Sequence, residues 1–223
     1  MRKILVLVIM LCFAYAGEMQ EMFCGDKSLY YCTDHFNRQC SSKNYLSCFV
    51  VGKLHLEQER YSESKKYLEM VCEKANSKVS YQVEQIDGGF GGELSAIEVV
   101  NMGYGDLSIL YYNGWGVRQD YGKALQYAKK ACDLGNANSC GGVGKIYYLG
   151  EGTKKDLKLA KNYYEKSCEM QSGLGCIFLG GMYFDGEGVA KNLSKAKELF
   201  GKACDLGIQA SCDFYKELNK TKQ

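Results

Sequence analysis

The stretch Cys132-Asp-Leu-Gly-Asn-Ala-Asn-Ser-Cys140 decides how this chain folds. Its two cysteines are eight residues apart, and the same step returns at Cys168/Cys176 and Cys204/Cys212, each pair 36 residues after the last. A fixed period of this size marks a chain that stacks one supersecondary unit on the next. Working outward from the pairs, Leu107-x-x-Leu110-Tyr111-x-x-Gly114 aligns with Val143-x-x-Ile146-Tyr147-x-x-Gly150 and Leu179-x-x-Met182-Tyr183-x-x-Gly186. Apolar residues at i, i+3 and i+4 predict a helix, here called A. The glycines Gly114/Gly116, Gly150/Gly152 and Gly186/Gly188 stop it and permit positive φ in the loop. Asp120, Asp156 and Asn192 are suited to cap a second helix, B. Along B, Ala124/Ala160/Ala196, Tyr127/Tyr163/Leu199 and Ala128/Tyr164/Phe200 share one face. Each cysteine pair then joins the end of one B helix to the start of the next A helix. Closing so short a loop stabilises the fold by about 2.5 kcal/mol in the chain-entropy account. The expected fold class is all-α: an α/α superhelix of helical hairpins stapled by disulfides.

The first residues read as a targeting segment. Arg2 and Lys3 precede an apolar run, Ile4 to Phe13, too short to span a bilayer, and Ala14-Tyr15-Ala16 is a small-x-small cleavage site. Cleavage before Gly17 is expected. The alternative, lipidation at Cys12, is disfavoured by bulky Met10 and Leu11 just before it. Losing Arg2 and Lys3 leaves 26 basic against 26 acidic residues, which argues against nucleic acid as a partner. Of 12 cysteines all but Cys12 remain, too many for a reducing cytosol without a metal role. The seven-residue gaps and only two histidines, His35 and His55, argue against zinc. The disulfides therefore point to a periplasmic or secreted protein, with a periplasmic thiol oxidase as a partner during folding. No cofactor and no metal are expected.

The domain reading is a signal peptide at 1–16, a cysteine-rich cap at 17–47, a hairpin like a tetratricopeptide (TPR) repeat at 48–79, a truncated repeat at 80–103, full repeats at 104–139, 140–175 and 176–211, and a C-terminal cap at 212–223. In the first hairpin Cys48, Val51, Gly52 and His55 match helix A, and Ser64, Tyr67, Leu68, Val71 and Cys72 match helix B. Residues 80–103 read as a short helix, the loop Asp87-Gly-Gly-Phe-Gly-Gly92, and a second short helix through Glu93–Asn101. Bridges Cys132–Cys140, Cys168–Cys176 and Cys204–Cys212 are expected. By analogy Cys40–Cys48 follows, leaving Cys24–Cys32, although four cysteines allow three connectivities. The slot that would partner Cys72 holds Ser80, so Cys72 is expected to stay a thiol or to bridge to another chain.

The pattern Leu179-Gly180-x-x-Tyr183-x-x-Gly186-x-Gly188-Val189, followed by alanine in helix B and by Ala203-Cys-Asp-Leu-Gly207, resembles the Sel1-like repeat. With a cysteine step in each repeat and a signal peptide, the chain also resembles the Helicobacter cysteine-rich protein family. The resemblance implies a right-handed superhelix in the periplasm or outside the cell. It also implies penicillin binding with slow β-lactamase activity, which no residue pattern in this chain shows.

Two Ser-x-x-Lys matches occur, Ser62/Lys65 and Ser194/Lys197, but without the Ser-Asp-Asn and Lys-Thr-Gly partners of serine β-lactamases. Both lie at the start of a B helix, where serine and lysine are ordinary. His55 fills the slot of Tyr111, Tyr147 and Tyr183 and reads as a packed core residue. The sharper candidates are helix A residues outside the core pattern: Ile109, Tyr112 and Asn113; Lys145, Tyr148 and Leu149; Phe184 and Asp185. Helix A lines the concave face of helical-hairpin solenoids, and aromatics are enriched at binding hot spots. Tyr112, Tyr148 and Phe184 would form a row there. The alternative is that they pack against a neighbouring helix. Trp115, where other repeats carry Glu151 and Glu187, either meets a partner or folds back on its own repeat. The leading reading is a scaffold that binds a protein, peptide or cell-wall component on its concave face. The runner-up is a β-lactam-binding enzyme.

Overall fold

The structure is a computed structural model that describes residues 28–40, 44–74, 80–83 and 92–220. The segment expected to be a leader, Cys24 and most of the glycine-rich 87–92 loop lie outside the described residues. Ten helices and one hairpin are described: α1 (Leu29–Gln39), α2 (Tyr45–Glu57), α3 (Tyr61–Lys74), β1 (Ser80–Val83), β2 (Gly92–Ser95), α4 (Ala96–Asn113), α5 (Tyr121–Asp133), α6 (Ala137–Leu149), α7 (Leu157–Glu169), α8 (Gly173–Asp185), α9 (Leu193–Asp205) and α10 (Gln209–Lys220). They divide into two units, one of residues 1–103 with 115–117 and one of 104–114 with 118–223.

In the first unit α2 packs against both α1 and α3. A helix covered on two sides must be apolar all round, and Leu46, Cys48, Phe49, Val50, Val51 and Leu54 are all buried. The expected short helix after residue 80 is instead an antiparallel pair, with Ser80 opposite Ser95 and Val83 opposite Gly92. The second expected helix is the first part of α4, which runs unbroken to Asn113. Two features account for this. Ser95 and Glu98 form a capping box that sets the helix start: Ser95 Oγ accepts from Glu98 N at 3.3 Å, and Glu98 Oε2 accepts from Ser95 N at 2.7 Å. From there Ala96, Val99, Gly103, Leu107, Leu110 and Tyr111 continue one buried stripe with no break for a loop.

In the second unit the hairpins α6/α7 and α8/α9 stack, with α8 touching α6, α7 and α9 and with α10 on α9. Asp120, Asp156 and Asn192 each accept from the backbone N–H three residues on, at 2.9 Å. Gly150 and Gly186 cap α6 and α8 with left-handed φ of 74° and 79°. Gly152 needs both its φ of 64° and its missing side chain, because a Cβ there would lie 2.5 Å from Tyr121 Cβ. The core around the last full hairpin joins Ala160, Tyr164, Cys168, Cys176, Leu179, Met182, Leu199 and Ala203.

The staples stand at Cys40–Cys48, Cys132–Cys140, Cys168–Cys176 and Cys204–Cys212, with Cα atoms 4.6–4.7 Å apart. Cys32 is also disulfide-bonded, and its expected partner Cys24 lies outside the described residues. Cys72 is outside the disulfides and half-buried, its Sγ 3.9 Å from the Val100 carbonyl.

Candidate functional site: the outward side of the A helices

The aromatic row sits where the period places it, and its side chains are engaged with the chain itself. The Tyr112 hydroxyl donates to Glu151 of the next repeat at 2.6 Å. The Tyr148 hydroxyl donates to Glu187 in the same way, one repeat on. Tyr112 and Tyr148 thus each buckle onto the loop that caps the following helix A. Phe184, the third member, carries no hydroxyl and leans on Phe200 at 6.5 Å between ring centroids. Lysines cover the outer ring faces: Lys145 over Tyr112 at 4.5 Å, Lys155 over Tyr148 at 5.3 Å and Lys191 over Phe184 at 5.6 Å. Lys155 also pairs with Glu187 at 3.0 Å.

The electrostatics follow from these contacts. The hydrogen bond to Glu187, reinforced by burial, pushes the Tyr148 phenol up to about 12. Burial first, then Glu151, pushes Tyr112 well above the ordinary phenol value. The Tyr148 hydroxyl and the Lys155 ammonium hold Glu187 below the usual carboxylate value. These groups hold one charge state firmly at neutral pH.

Of the other sequence candidates, Ile109 and Leu149 stand out in solvent at 48% and 47% exposure, and Asn113 and Asp185 are also exposed. Lys145 is half-buried against Tyr112. The sequence reading missed the larger exposed apolar groups of this side, Leu174 and Phe178 on α8 and Phe214 on α10. Leu174, Phe178, Gly181 and Asp185 run at i, i+4, i+7 and i+11, a single outward stripe that the spacing alone could have revealed. Phe178 stacks on buried Tyr164 at 5.3 Å, and Phe214 on Phe200 at 5.3 Å. The α6 equivalent of Phe178 is Gly142, and a Cβ on Gly142 or on Gly181 would touch nothing within 4 Å. Packing inside the chain therefore does not account for these helical glycines.

The remaining candidates have local explanations. Ser62 Oγ donates to the Gly116 carbonyl at 3.2 Å, and Lys65 pairs with Glu69 at 3.5 Å. Lys197 lies over the Tyr215 ring. His55 is buried at 6% exposure and stacks on Tyr67, taking the place of the Tyr111–Tyr127 and Tyr147–Tyr163 stacks. His35 lies between Tyr31 and Phe36, with its Nε2 3.1 Å from Gln39 Nε2. Trp115 stacks on Tyr61 of α3 at 5.3 Å while remaining 43% exposed.

Comparison with known proteins matches the Sel1 repeat to residues 101–136, 137–172 and 173–208. The chain belongs to the Sel1-repeat proteins. Among solved structures, this Sel1-repeat chain is similar to c5321, a protective antigen of uropathogenic Escherichia coli strains displaying an SLR fold, with 22% identity and a TM-score of 0.63 over 81% of this chain. At that identity the likeness shows the fold alone, and the chain spans only 34% of the length of c5321. It is similar to a Sel1 repeat protein from Oxalobacter formigenes, 29% identical over 52% of this chain and 88% of that one, with a TM-score of 0.47. It is also similar to Helicobacter pylori cysteine rich protein B, 33% identical over 53% of this chain and 93% of that one, with a TM-score of 0.44. No curated protein sequence matches the chain.

Proposed function

We propose that the protein is an interaction scaffold of an oxidising compartment, periplasmic or extracellular, that holds a protein or peptide against the outward, concave side of its A helices. The observation that carries the reading is the outward stripe itself. Leu149, Leu174, Phe178 and Phe214 are each at least 40% exposed on the A helices of successive repeats, beside the two glycines that leave space open. Glycine in a helix interior costs about 0.5–1 kcal/mol relative to alanine. Where nothing inside the chain requires it, close approach of a partner's backbone is a reason to keep it. Sel1-repeat proteins generally bind proteins, and stacked repeats present such surfaces in register. The Tyr112–Glu151 and Tyr148–Glu187 buckles hold that register, so the sequence-selected aromatics support the surface from beneath while the stripe above them makes contact. The staples support the compartment assignment.

Slow β-lactam hydrolysis, which the cysteine-rich resemblance implies, draws no support from Ser62 or Ser194. Ser62 donates to a backbone carbonyl, Lys65 is paired with a carboxylate, and Lys197 is seated on a ring. An acyl-transfer serine needs a base within hydrogen-bond reach and an oxyanion site.

The test is selection of displayed random peptides on the oxidised protein, followed by titration against variants. Phe178→Ala and Leu149→Ala are expected to weaken the selected peptides about tenfold or more, while Lys158→Ala on the B-helix side leaves affinity unchanged. Peptides whose affinity is indifferent to both A-face substitutions would place the binding surface elsewhere.

A further inference from the structure

The four described staples differ in how they are covered. Cys40, Cys48, Cys132, Cys140, Cys168 and Cys176 are buried, between 0% and 7% exposed. Cys204 and Cys212 are both half-buried. The repeat explains the difference. The residue just past α7 covers the bridge one repeat earlier: Met170 Sδ lies 3.9 Å from Cys140 Sγ. Leu206, its equivalent, packs on the core that holds Cys168 and Cys176. In the first unit the cover comes from within α3, where Met70 Sδ lies 3.9 Å from Cys48 Sγ. Among the described residues no further repeat is stacked beyond Cys204–Cys212.

We propose that Cys204–Cys212 is a redox-labile staple: a dithiol opens it selectively, and opening it releases α10 from α9 while the other staples stay closed. The reductant is a dithiol, either a small molecule or a protein pair. One thiolate attacks a sulfur of the half-buried bridge, the Cys204–Cys212 bond breaks, and a mixed disulfide forms. The second thiol then displaces it, so that the dithiol leaves as its disulfide. Two electrons and two protons pass to Cys204 and Cys212. Access decides which bridge is reached first, because buried sulfurs must wait for local opening of the fold. What the bridge holds is limited. α10 rests on α9 through Phe214 on Phe200, Tyr215 over Gly201 and Lys197 over Tyr215. Its release uncovers Phe200, otherwise 4% exposed, and removes Phe214 from the outward side. The inference stands on the cover of the bridges and does not depend on what the scaffold binds.

The experiment uses the full oxidised chain with dithiothreitol under native conditions, alkylated at intervals and mapped by mass spectrometry. Labels on Cys204 and Cys212 are expected at least about tenfold sooner than on Cys132, Cys140, Cys168 and Cys176. Amides of α10 are then expected to lose exchange protection while those of α5 to α8 keep theirs. In denaturant the rates should converge, since the difference comes from the fold. Equal rates under native conditions overturn the proposal, as does a preference that persists in denaturant. A Cys204→Ser, Cys212→Ser double variant whose α10 stays as protected as in the parent also overturns it.

Discussion

Gly144 and Tyr164 offer a quantitative test of how the repeats pack. A Cβ on Gly144 would lie 2.6 Å and 2.7 Å from two ring carbons of Tyr164 and 3.2 Å from the Ala160 carbonyl. Tyr164 is 2% exposed, so the ring cannot swing into solvent without opening the core. Gly144→Ala should gain about 0.5–1 kcal/mol of helix propensity. Against that, overpacking a well-filled site costs about 1–3 kcal/mol. The net expectation is about 1–2 kcal/mol of destabilisation, with the melting temperature down by about 2–8 °C in a chain of this size.

The decisive measurement is the cycle with Tyr164→Ala. The equivalent positions hold Ser108 and Ala128 in one repeat, Gly144 against Tyr164 in the next, and Gly180 against Phe200 in the third, where a Cβ would come within 2.9 Å of the ring. Tyr164→Ala alone should cost about 3–5 kcal/mol. In that background Gly144→Ala meets no ring and should stabilise by about 0.5–1 kcal/mol. The coupling energy is then about 1.5–3 kcal/mol, of the sign that makes the double variant more stable than the sum of the singles. Urea unfolding of the four oxidised proteins measures it. Additivity within about 0.5 kcal/mol would refute the claim that the two side chains compete for one volume.

Three further outcomes are expected. Gln171 sits at φ 66° where the equivalent residues are Gly135 and Gly207, so Gln171→Gly should stabilise by about 0.5–1 kcal/mol, and a lower melting temperature would show that the side chain has a compensating role. Ser95→Ala removes the capping box and should cost about 1 kcal/mol, with faster amide exchange confined to the first turn of α4. Because the folded state raises Tyr148 to about 12, its contribution is full below pH 10 and is lost as pH rises to about 12. The stability gap between the parent and Tyr148→Phe should therefore shrink over that window, and a gap that stays constant would mean that the Glu187 buckle does not set the phenol's ionisation.

Legibility followed the period. Wherever the 36-residue step held, caps, loop glycines and staples could be placed from sequence, because each answers a local need: an orphan N–H, a positive φ, a short ring closure. Residues 80–103 fall outside the period, and there the reading lost its reference. Ser95-Ala-Ile-Glu98 was present as a capping box, yet the frame borrowed from the other repeats put a helix end inside what is one continuous α4. The role of the aromatic row stayed open in the sequence for a different reason. Its spacing put it on helix A, but whether a tyrosine there faces a partner or a neighbouring loop depends on the residue 39 positions later.

That dependence can be read back into the chain. Glu151 and Glu187 lie between loop glycines one repeat beyond Tyr112 and Tyr148 and meet their hydroxyls. Phe184, which ends the row, has no hydroxyl to satisfy. Trp115 replaces the loop glutamate at the start of the row and meets the ring of Tyr61 instead of a phenol hydroxyl. Among the described residues the donor and the acceptor occur together twice, at Tyr112–Glu151 and Tyr148–Glu187. A row kept for ligand contact would not need to vary in step with a loop residue of the next repeat. On the proposed reading the row serves the stacking of the repeats, and contact with a partner falls to Ile109 and Gly181 on one line and to Gly142, Phe178 and Phe214 on the other.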